Sequence, residues 1–218
     1  MVEIFKKSPF QGQVPEKASI VFLSSDANYS PEISNHSFFK YILEYQKDGI
    51  AFWNNYGCHH PFLLSDYPFD KRKDGVPFHR NFSKLDLQAR QHAEHISFIE
   101  LLCVPTIGNK AANMELFFDL LCQDHLKYIN KLILSGGHKL FFVSKGVLDD
   151  INKIKKIYPK QNLFSWYADD NQKGRFSKEI NGNKVKEIYH FSSSKIHSQL
   201  NDIRSDINKW LDHVCFKQ

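Results

Sequence analysis

The chain has 218 residues, of which 42% are hydrophobic and 24% are charged, and this length suffices for the core of one large domain. We therefore treat residues 1–218 as a single domain and exclude an intrinsically disordered chain. A formal net charge of +5 at pH 7 permits attraction to nucleic acid without demonstrating it.

Four widely spaced cysteines and the absence of a C-x-x-C pair argue against a metal site. Zinc and iron-sulfur sites usually draw at least one closely spaced pair of ligands, so we expect no metal and no cofactor. No apolar stretch follows the first lysines, and no run approaches the roughly 20 apolar residues of a membrane span. We therefore expect a cytoplasmic protein that is not inserted into a membrane.

The first half of the chain begins with a clear strand signal. Residues 18–23, ASIVFL, predict a buried strand that ends in a polar loop. Pro31 suits the first turn of the helix predicted after it. Residues 49–87 are irregular and dense in aromatic and histidine residues, which predicts a long functional loop. A short helix over residues 87–94 and the strand-like ISFIELL follow.

The second half alternates helices and strands. Helical spacing over residues 111–133 ends before Gly136, and residues 139–144, KLFFVS, predict a central strand. The next segments in order are a helix over 147–158, a strand over 162–167, a turn-rich loop over 169–174, a strand over 185–191 and a final helix over 196–215.

This alternation predicts an α/β fold, a three-layer α/β/α sandwich around a mostly parallel sheet. Ligands of such sheets bind beyond the carboxyl ends of the strands. The chemistry is therefore expected after Leu23, Ser144 and Tyr189.

The segment IVFLSSDANYS, which brings polar residues to that edge, resembles a motif of the uracil-DNA glycosylase superfamily. There the first strand ends in G-Q-D-P-Y or G-I-N-P-G, and Asp26 stands at the Asp or Asn while Asn28 stands at the Tyr or Gly. A register shifted by one, on the G-E-A-P-G of a third branch, places Asp26 at the Glu. The alternative is that Asp26 only caps the following helix.

The segment YHFSSSKIHSQ, residues 189–199, follows the last predicted strand. It is similar to the H-P-S-P-L or N-P-S of the same superfamily. His190 and Ser192 match the His and Ser, whereas Phe191 and Ser193 replace the two prolines. We expect Asp26 and His190 to face each other across one pocket, at the ends of adjacent parallel strands.

Two further segments extend the resemblance. ISFIELLCVPTIGN is similar to the central segment of mismatch-specific glycosylases, where Pro105-Thr106 matches the end of R-P-T. The aromatic segment over residues 54–62 falls where the superfamily builds a wall of its base pocket. Phe62 is the expected stacking ring and Phe39 its rival, and either ring could instead belong to the core.

The resemblance implies a uracil-DNA glycosylase-like fold and an enzyme that cleaves the N-glycosidic bond of uracil or another deaminated or damaged base in DNA. Asp26 would stabilise positive charge on the sugar and orient water, and His190 would donate a hydrogen bond to the departing base. We expect a monomer with DNA as its partner. The implied substrate-binding residues are Ser25, Asn28, Tyr29, Phe62, Ser192 and Ser193, and the implied DNA-binding residues are Ser194, Lys195 and the wedge Ile196.

Two other functions stay open at this point. The fold could serve as a catalytically drifted module that binds nucleic acid or nucleotides, or as an enzyme acting on a small nucleoside or nucleotide. A basic groove running past Asp26 and His190 would favour DNA as the substrate.

Overall fold

Six strands form one mixed sheet in a computed structural model of the chain, which describes residues 2–107, 113–168 and 174–215. The order across the sheet is β1-β3-β2-β4-β6-β5. The four inner strands run parallel, and β1 and β5 pair antiparallel at the two edges. The strands are β1 (Phe10–Gly12), β2 (Ile20–Ser24), β3 (Ile96–Glu100), β4 (Leu140–Ser144), β5 (Ser177–Ile180) and β6 (Asn183–Ile188).

Helices and short 3-10 turns connect the strands. The α-helices are α1 (Val2–Lys7), α2 (Phe39–Lys47), α3 (Gly49–Tyr56), α4 (Val76–Ser83), α5 (Ala89–His92), α6 (Met114–Asp119), α7 (Gln123–Leu134), α8 (Lys145–Ile157) and α9 (Leu200–Cys215). The 3-10 helices are Ile33–Asn35, Pro61–Leu63, Ala93–His95, Pro159–Gln161 and Ser194–Gln199.

The sheet is buried on both faces, as its apolar strands require. On one face Val21 and Leu23 share a core with residues of α7 and α8, and on the other face Phe22 shares a core with residues of α3, α4 and α9. Every residue of β2 is buried. The α/β class predicted from the sequence is thus confirmed, with helices packed on both faces of the sheet.

A third apolar cluster lies beside the sheet rather than on it. It joins Phe5, Tyr29 and Phe62 to buried residues of α2 and of the segment before α4. This cluster packs the loop after β2 against the aromatic segment, which is how the chain builds a wall next to the sheet's carboxyl edge.

Several predicted elements differ from the structure. Residues 162–167 form turns and no strand, because Asn162 and Phe164 adopt positive φ angles of 49° and 54° that interrupt extended backbone. Their apolar neighbours Leu163 and Trp166 are buried in the core without pairing to the sheet. Strand β5, which the sequence analysis missed, pairs with β6.

The predicted helix over residues 111–133 is two helices, since the extended backbone of Cys122 separates α6 from α7. The predicted long loop over residues 49–87 contains α3 and α4. Residues 108–112 and most of the predicted loop, residues 169–173, lie outside the described part of the chain. Within the described ranges no helix is long and apolar enough to cross a membrane.

Candidate active site

A cleft opens at the carboxyl edge of the parallel strands, where the sequence analysis expected the chemistry. The cleft offers about 50 Å³ of space, which is room for more than one water-sized group. It therefore takes a small group, and the rest of a larger ligand would remain outside. Its lining includes Asp26, Asn28 and Tyr29 after β2, Phe98 and Glu100 on β3, and His190 and Ser192 after β6.

Asp26 is held by the loop that follows β3. The hydroxyl of Thr106 lies 3.0 Å from Oδ2 of Asp26 and 2.8 Å from Oδ1 of Asn28. The backbones of the two loops also pair, since Thr106 donates its N–H to Ala27 and accepts the N–H of Tyr29. The two segments with superfamily-like motifs thus lie side by side.

The helix-capping interpretation of Asp26 is wrong. The next helical turn begins at Ile33, and its N-cap residue is Glu32. Asp26 therefore sits in an irregular loop at the cleft, where its carboxylate accepts a side-chain hydrogen bond instead of a helical N–H.

His190 lines the same cleft as Asp26, although the strands that precede them are not neighbours. β4 lies between β2 and β6, so the expected adjacency of the strands is wrong. Nδ1 of His190 accepts the N–H of Ser192 at 3.2 Å. A neutral ring then carries its proton on Nε2, which is the donor that stabilisation of a departing base would need.

The loop that carries His190 is anchored from α4. Nδ2 of the buried Asn81 donates to the carbonyl of Phe191 at 2.6 Å, and its Oδ1 contacts Lys84 and His197. Gln199 accepts the N–H of Tyr189 on the other side. These buried contacts fix the backbone on both sides of the imidazole.

Phe62, and not Phe39, lines the cleft. The Phe62 ring is almost fully buried and packs edge-on against Tyr29, with ring centroids 5.2 Å apart. Phe39 packs at the margin of the third apolar cluster. Phe78, on the first turn of α4, adds a second aromatic ring, which contacts His190 at 5.4 Å.

Gly75 joins the aromatic wall to the motif loop. Its N–H donates to the carbonyl of Asn28, and a Cβ at this position would lie 2.9 Å from the Phe62 ring. Only glycine allows so close an approach of backbone to ring.

Three buried histidines that the sequence analysis did not single out lie behind this wall. The rings of His60 and His79 stack 3.6 Å apart, and Nε2 of His59 lies 3.1 Å from Nδ1 of His79. Burial lowers the pKa of His59 to about 3 and also lowers those of His60 and His79 well below the usual value. All three rings are therefore neutral at pH 7.

His60 offers the cleft a hydrogen-bond donor. Its Nδ1 accepts the N–H of Phe62, so the proton of the neutral ring sits on Nε2. That nitrogen is buried without a partner among the described residues, as are Oε1 of Gln11 and the hydroxyl of Tyr29. Unpaired buried polar atoms cost free energy. Three of them on the lining of one cleft indicate a place where a polar ligand binds.

Glu100 lines the cleft together with the carboxyl groups of Asp26 and Asp74, and the sequence analysis missed it. It ends β3 directly opposite Ser24, two residues before Asp26. Burial, and then the charge of Asp26, raise the pKa of Glu100 to about 8. At pH 7 this side chain is thus mostly a protonated acid.

Of the three serines expected to bind substrate, the structure places only one on the lining of the cleft. Ser192 lines the cleft, whereas the hydroxyl of Ser25 donates to the buried Asp150 at 2.7 Å. Ser193 accepts the N–H of Lys195 at the start of the last 3-10 helix. Ser25 and Ser193 thus serve local structure here.

Ile196 does not stand at the surface. Its side chain is completely buried in the core shared with α9, so the structure places it where it cannot act as a wedge. Ser194 and Lys195 are exposed beside it. Exposed apolar side chains of Ile107, Leu116 and Leu120 line a neighbouring groove together with Asp26, and Ile107 is the most exposed of the three, at 67%.

Basic side chains lie close in sequence to residues that line the cleft. Exposed Lys71 and Lys73 precede the lining residues Asp74 and Gly75. Arg175 and Lys195 lie over the ring of Tyr189, which directly precedes His190. Such pairs of cationic segments suit a ligand that carries phosphates outside the enclosed space.

In the described ranges no group of three or more His, Cys, Asp or Glu side chains is arranged to hold a metal ion. No protein-family model, curated protein or solved structure matches this chain. Its function is therefore argued from the residues of the cleft.

Proposed function

We propose that this chain is a uracil-DNA glycosylase-like hydrolase, which cleaves the N-glycosidic bond of uracil or another deaminated or damaged base in DNA. The supporting observation is that Asp26 and His190, from opposite ends of the chain, line one cleft together with the aromatic ring of Phe62. These are the groups that the chemistry needs: a carboxylate, a hydrogen-bond donor and a stacking wall.

The two polar groups act on charges that develop as the bond breaks. The sugar becomes positive and the base negative, so an ionised Asp26 stabilises the sugar and orients the attacking water. Nε2 of His190 donates to the base as it gains charge, an interaction that strengthens in the transition state.

The polar atoms of the cleft lining support a base as the ligand that it binds. The enclosed space accepts a small polar group, and buried polar atoms of Gln11, Tyr29 and His60 await hydrogen-bond partners there. A base in a duplex must leave its stack to reach such a space, which costs a few kcal/mol that stacking and edge hydrogen bonds offset.

The basic side chains around the cleft favour DNA over a free nucleoside. Lys71 and Lys73, which precede lining residues, and Arg175 and Lys195, which contact the Tyr189 ring, would bind phosphates that flank an extruded nucleotide. A free nucleoside has no phosphates and would leave these cations without a role.

The test is a panel of oligonucleotides that carry uracil, hypoxanthine, xanthine or thymine mismatches, in single strands and in duplexes. We expect abasic sites to form on at least one of them. Binding to the panel without base release would instead support the catalytically drifted binding module. Release of base from free nucleosides alone would support the small-molecule enzyme.

A further inference from the structure

The cleft holds a carboxyl group that the proposed function does not yet use. Glu100 lines it from the end of β3, next to the loop of Asp26 and to the buried polar atoms of Gln11, Tyr29 and His60. Asp26, Asp74 and Glu100 all line this cleft, and environments that separate the protonation states of neighbouring carboxyl groups assign acid and base roles.

The surroundings of Glu100 keep its proton in place at pH 7. Burial and the negative charge of Asp26 raise the pKa of the Glu100 carboxyl to about 8. The neighbouring rings do not compensate, because burial keeps the imidazoles of His60 and His79 neutral. The titratable groups that line cavities with Glu100 or interact with it are Asp26, Tyr29, Tyr45, His60, Asp74, His79, Cys103 and His190. His125 donates to the backbone carbonyl of Glu100.

We propose that Glu100 acts as the general acid of the reaction, giving its proton to the departing base while Asp26 acts on the sugar side. This inference rests on the proposed function. It also narrows the substrate class to bases that are poor leaving groups as anions and gain most from protonation.

The proton balance of this step is complete. The C1′–N bond breaks with its electron pair passing to the base, and the Glu100 proton joins the base. Water supplies a hydroxyl group to C1′, and the proton it loses passes to Asp26. Asp26 then releases its proton to solvent and Glu100 regains one from solvent, so both groups return to their starting states and the net reaction is hydrolysis.

The division of roles fits the positions of the two groups. Asp26 lies in the loop after β2 and is held by Thr106, whereas Glu100 belongs to the neighbouring strand and lies among the unpaired polar atoms. A base that enters would therefore meet a proton donor in Glu100 and a second donor in His60.

The experiment compares the parent protein with Glu100→Gln in single-turnover base release, from pH 6 to pH 9, on the best substrate of the panel. We expect the variant to be slower by on the order of a hundredfold or more near pH 7. We also expect the parent rate to fall as the pH rises through about 8, where Glu100 loses its proton, and the variant to lack this fall. Glu179→Gln, on the exposed edge strand β5, is the matched control and should behave as the parent.

A second measurement separates chemistry from a structural role. On a series of bases of increasing acidity, the ratio of parent to variant rates should shrink, because an acidic base leaves readily without a proton. A ratio that is the same for every base would overturn the proposal, as would an alkaline fall that survives in the variant. If the parent itself releases no base, the proposed function fails instead, and the two failures are thus distinguishable.

Discussion

The hydroxyl of Thr106 ties together the two loops that shape the cleft. It lies within hydrogen-bond distance of Asp26 and of Asn28, so the carboxylate is oriented before any ligand binds. Preorganisation of this kind is what allows a charged group to act on a transition state. The charge of Asp26 can therefore be tested at fixed geometry.

Asp26→Asn should lower the single-turnover rate of base release by on the order of a hundredfold or more and leave DNA binding almost unchanged. The carboxylate interacts with charge that exists only in the transition state. Its removal should therefore slow bond cleavage without weakening substrate binding. The amide oxygen can still accept from Thr106, which preserves the loop. Single-turnover kinetics and binding to an uncleavable substrate measure the two effects separately.

Asp124→Asn is the control, since that side chain is 90% exposed on α7. An unchanged rate for Asp26→Asn in a protein that releases base would remove Asp26 from the chemical step. Equal losses in rate and binding would assign it to substrate binding.

Asn81→Ala should detach the backbone next to His190. The change removes the 2.6 Å hydrogen bond to the carbonyl of Phe191 and leaves a buried carbonyl unpaired. We expect the free energy of unfolding to fall by about 1–3 kcal/mol and base release to slow because His190 shifts. Urea denaturation and single-turnover kinetics are the measurements.

Asn54→Ala, at an exposed site on α3, is the control and should change neither the free energy of unfolding nor the rate of base release. Full activity in a destabilised Asn81→Ala would show that the loop needs no such anchor.

At the scale of elements, the last 3-10 helix presents Lys195 to solvent beside the cleft. We expect DNA affinity to fall steeply with salt, because bound phosphates release counterions. Lys195→Ala should weaken binding on all sequences alike and reduce the salt slope by about one. Binding titrations at several salt concentrations test this. Lys209→Ala on α9 is the control, and affinity independent of salt would contradict a phosphate-binding surface.

The groove beside Asp26 suggests which side chain fills the gap that an extruded base leaves. Ile107 is 67% exposed on its rim, whereas Ile196 is buried. Ile107→Ala should slow base release from duplexes and leave single strands almost unaffected, because only a stacked base needs a wedge. Comparison of the two substrates in single-turnover kinetics is the test. An equal loss on both would place Ile107 in substrate binding instead.

The central strands could be predicted because β2 and β4 are unbroken apolar runs that the sheet buries on both faces. Residues 162–167 have a similar composition, but their burial comes from packing against the core, which a local pattern does not distinguish from pairing. Among site residues, Asp26 and His190 were found because each follows a strand. Glu100 was missed because one acidic residue at the end of a strand looks ordinary until β1 and the loop of Asp26 enclose it.

For the whole molecule, the buried imidazoles and Glu100 act on stability in opposite directions as the pH changes. The pKa values of His59, His60 and His79 lie below 6.5 in the folded chain, so unfolding takes up protons and stability falls as the pH drops through 6.5. The pKa of Glu100 is raised to about 8, so the folded state holds a proton that the unfolded state lacks between about pH 4.5 and 8.

Near pH 5.5 these four groups should together take up roughly two protons when the chain unfolds. The free energy of unfolding should therefore fall by about 2–3 kcal/mol for each pH unit of acidification. In Glu100→Gln the opposing proton is absent, so we expect a steeper loss of stability on the acid side. We also expect a weaker decline in stability as the pH rises from about 7 to 8, the range in which the folded parent gives up the Glu100 proton. Urea denaturation at a series of pH values tests this. If the substitution leaves the pH dependence of the free energy of unfolding unchanged, Glu100 is not protonated in the folded chain at pH 7.

The two antiparallel outer strands also affect how readily the protein aggregates through the edges of its sheet. A sheet edge with free backbone groups can recruit a strand from another molecule. On one side β1 has three residues, and the side chain of Gln46 donates to the carbonyl of Phe10. On the other side β5 has four residues and exposes Lys178 and Glu179. The long apolar strands are thus all interior, and each margin offers an incoming strand few hydrogen bonds, which protects the sheet from aggregation through its edges.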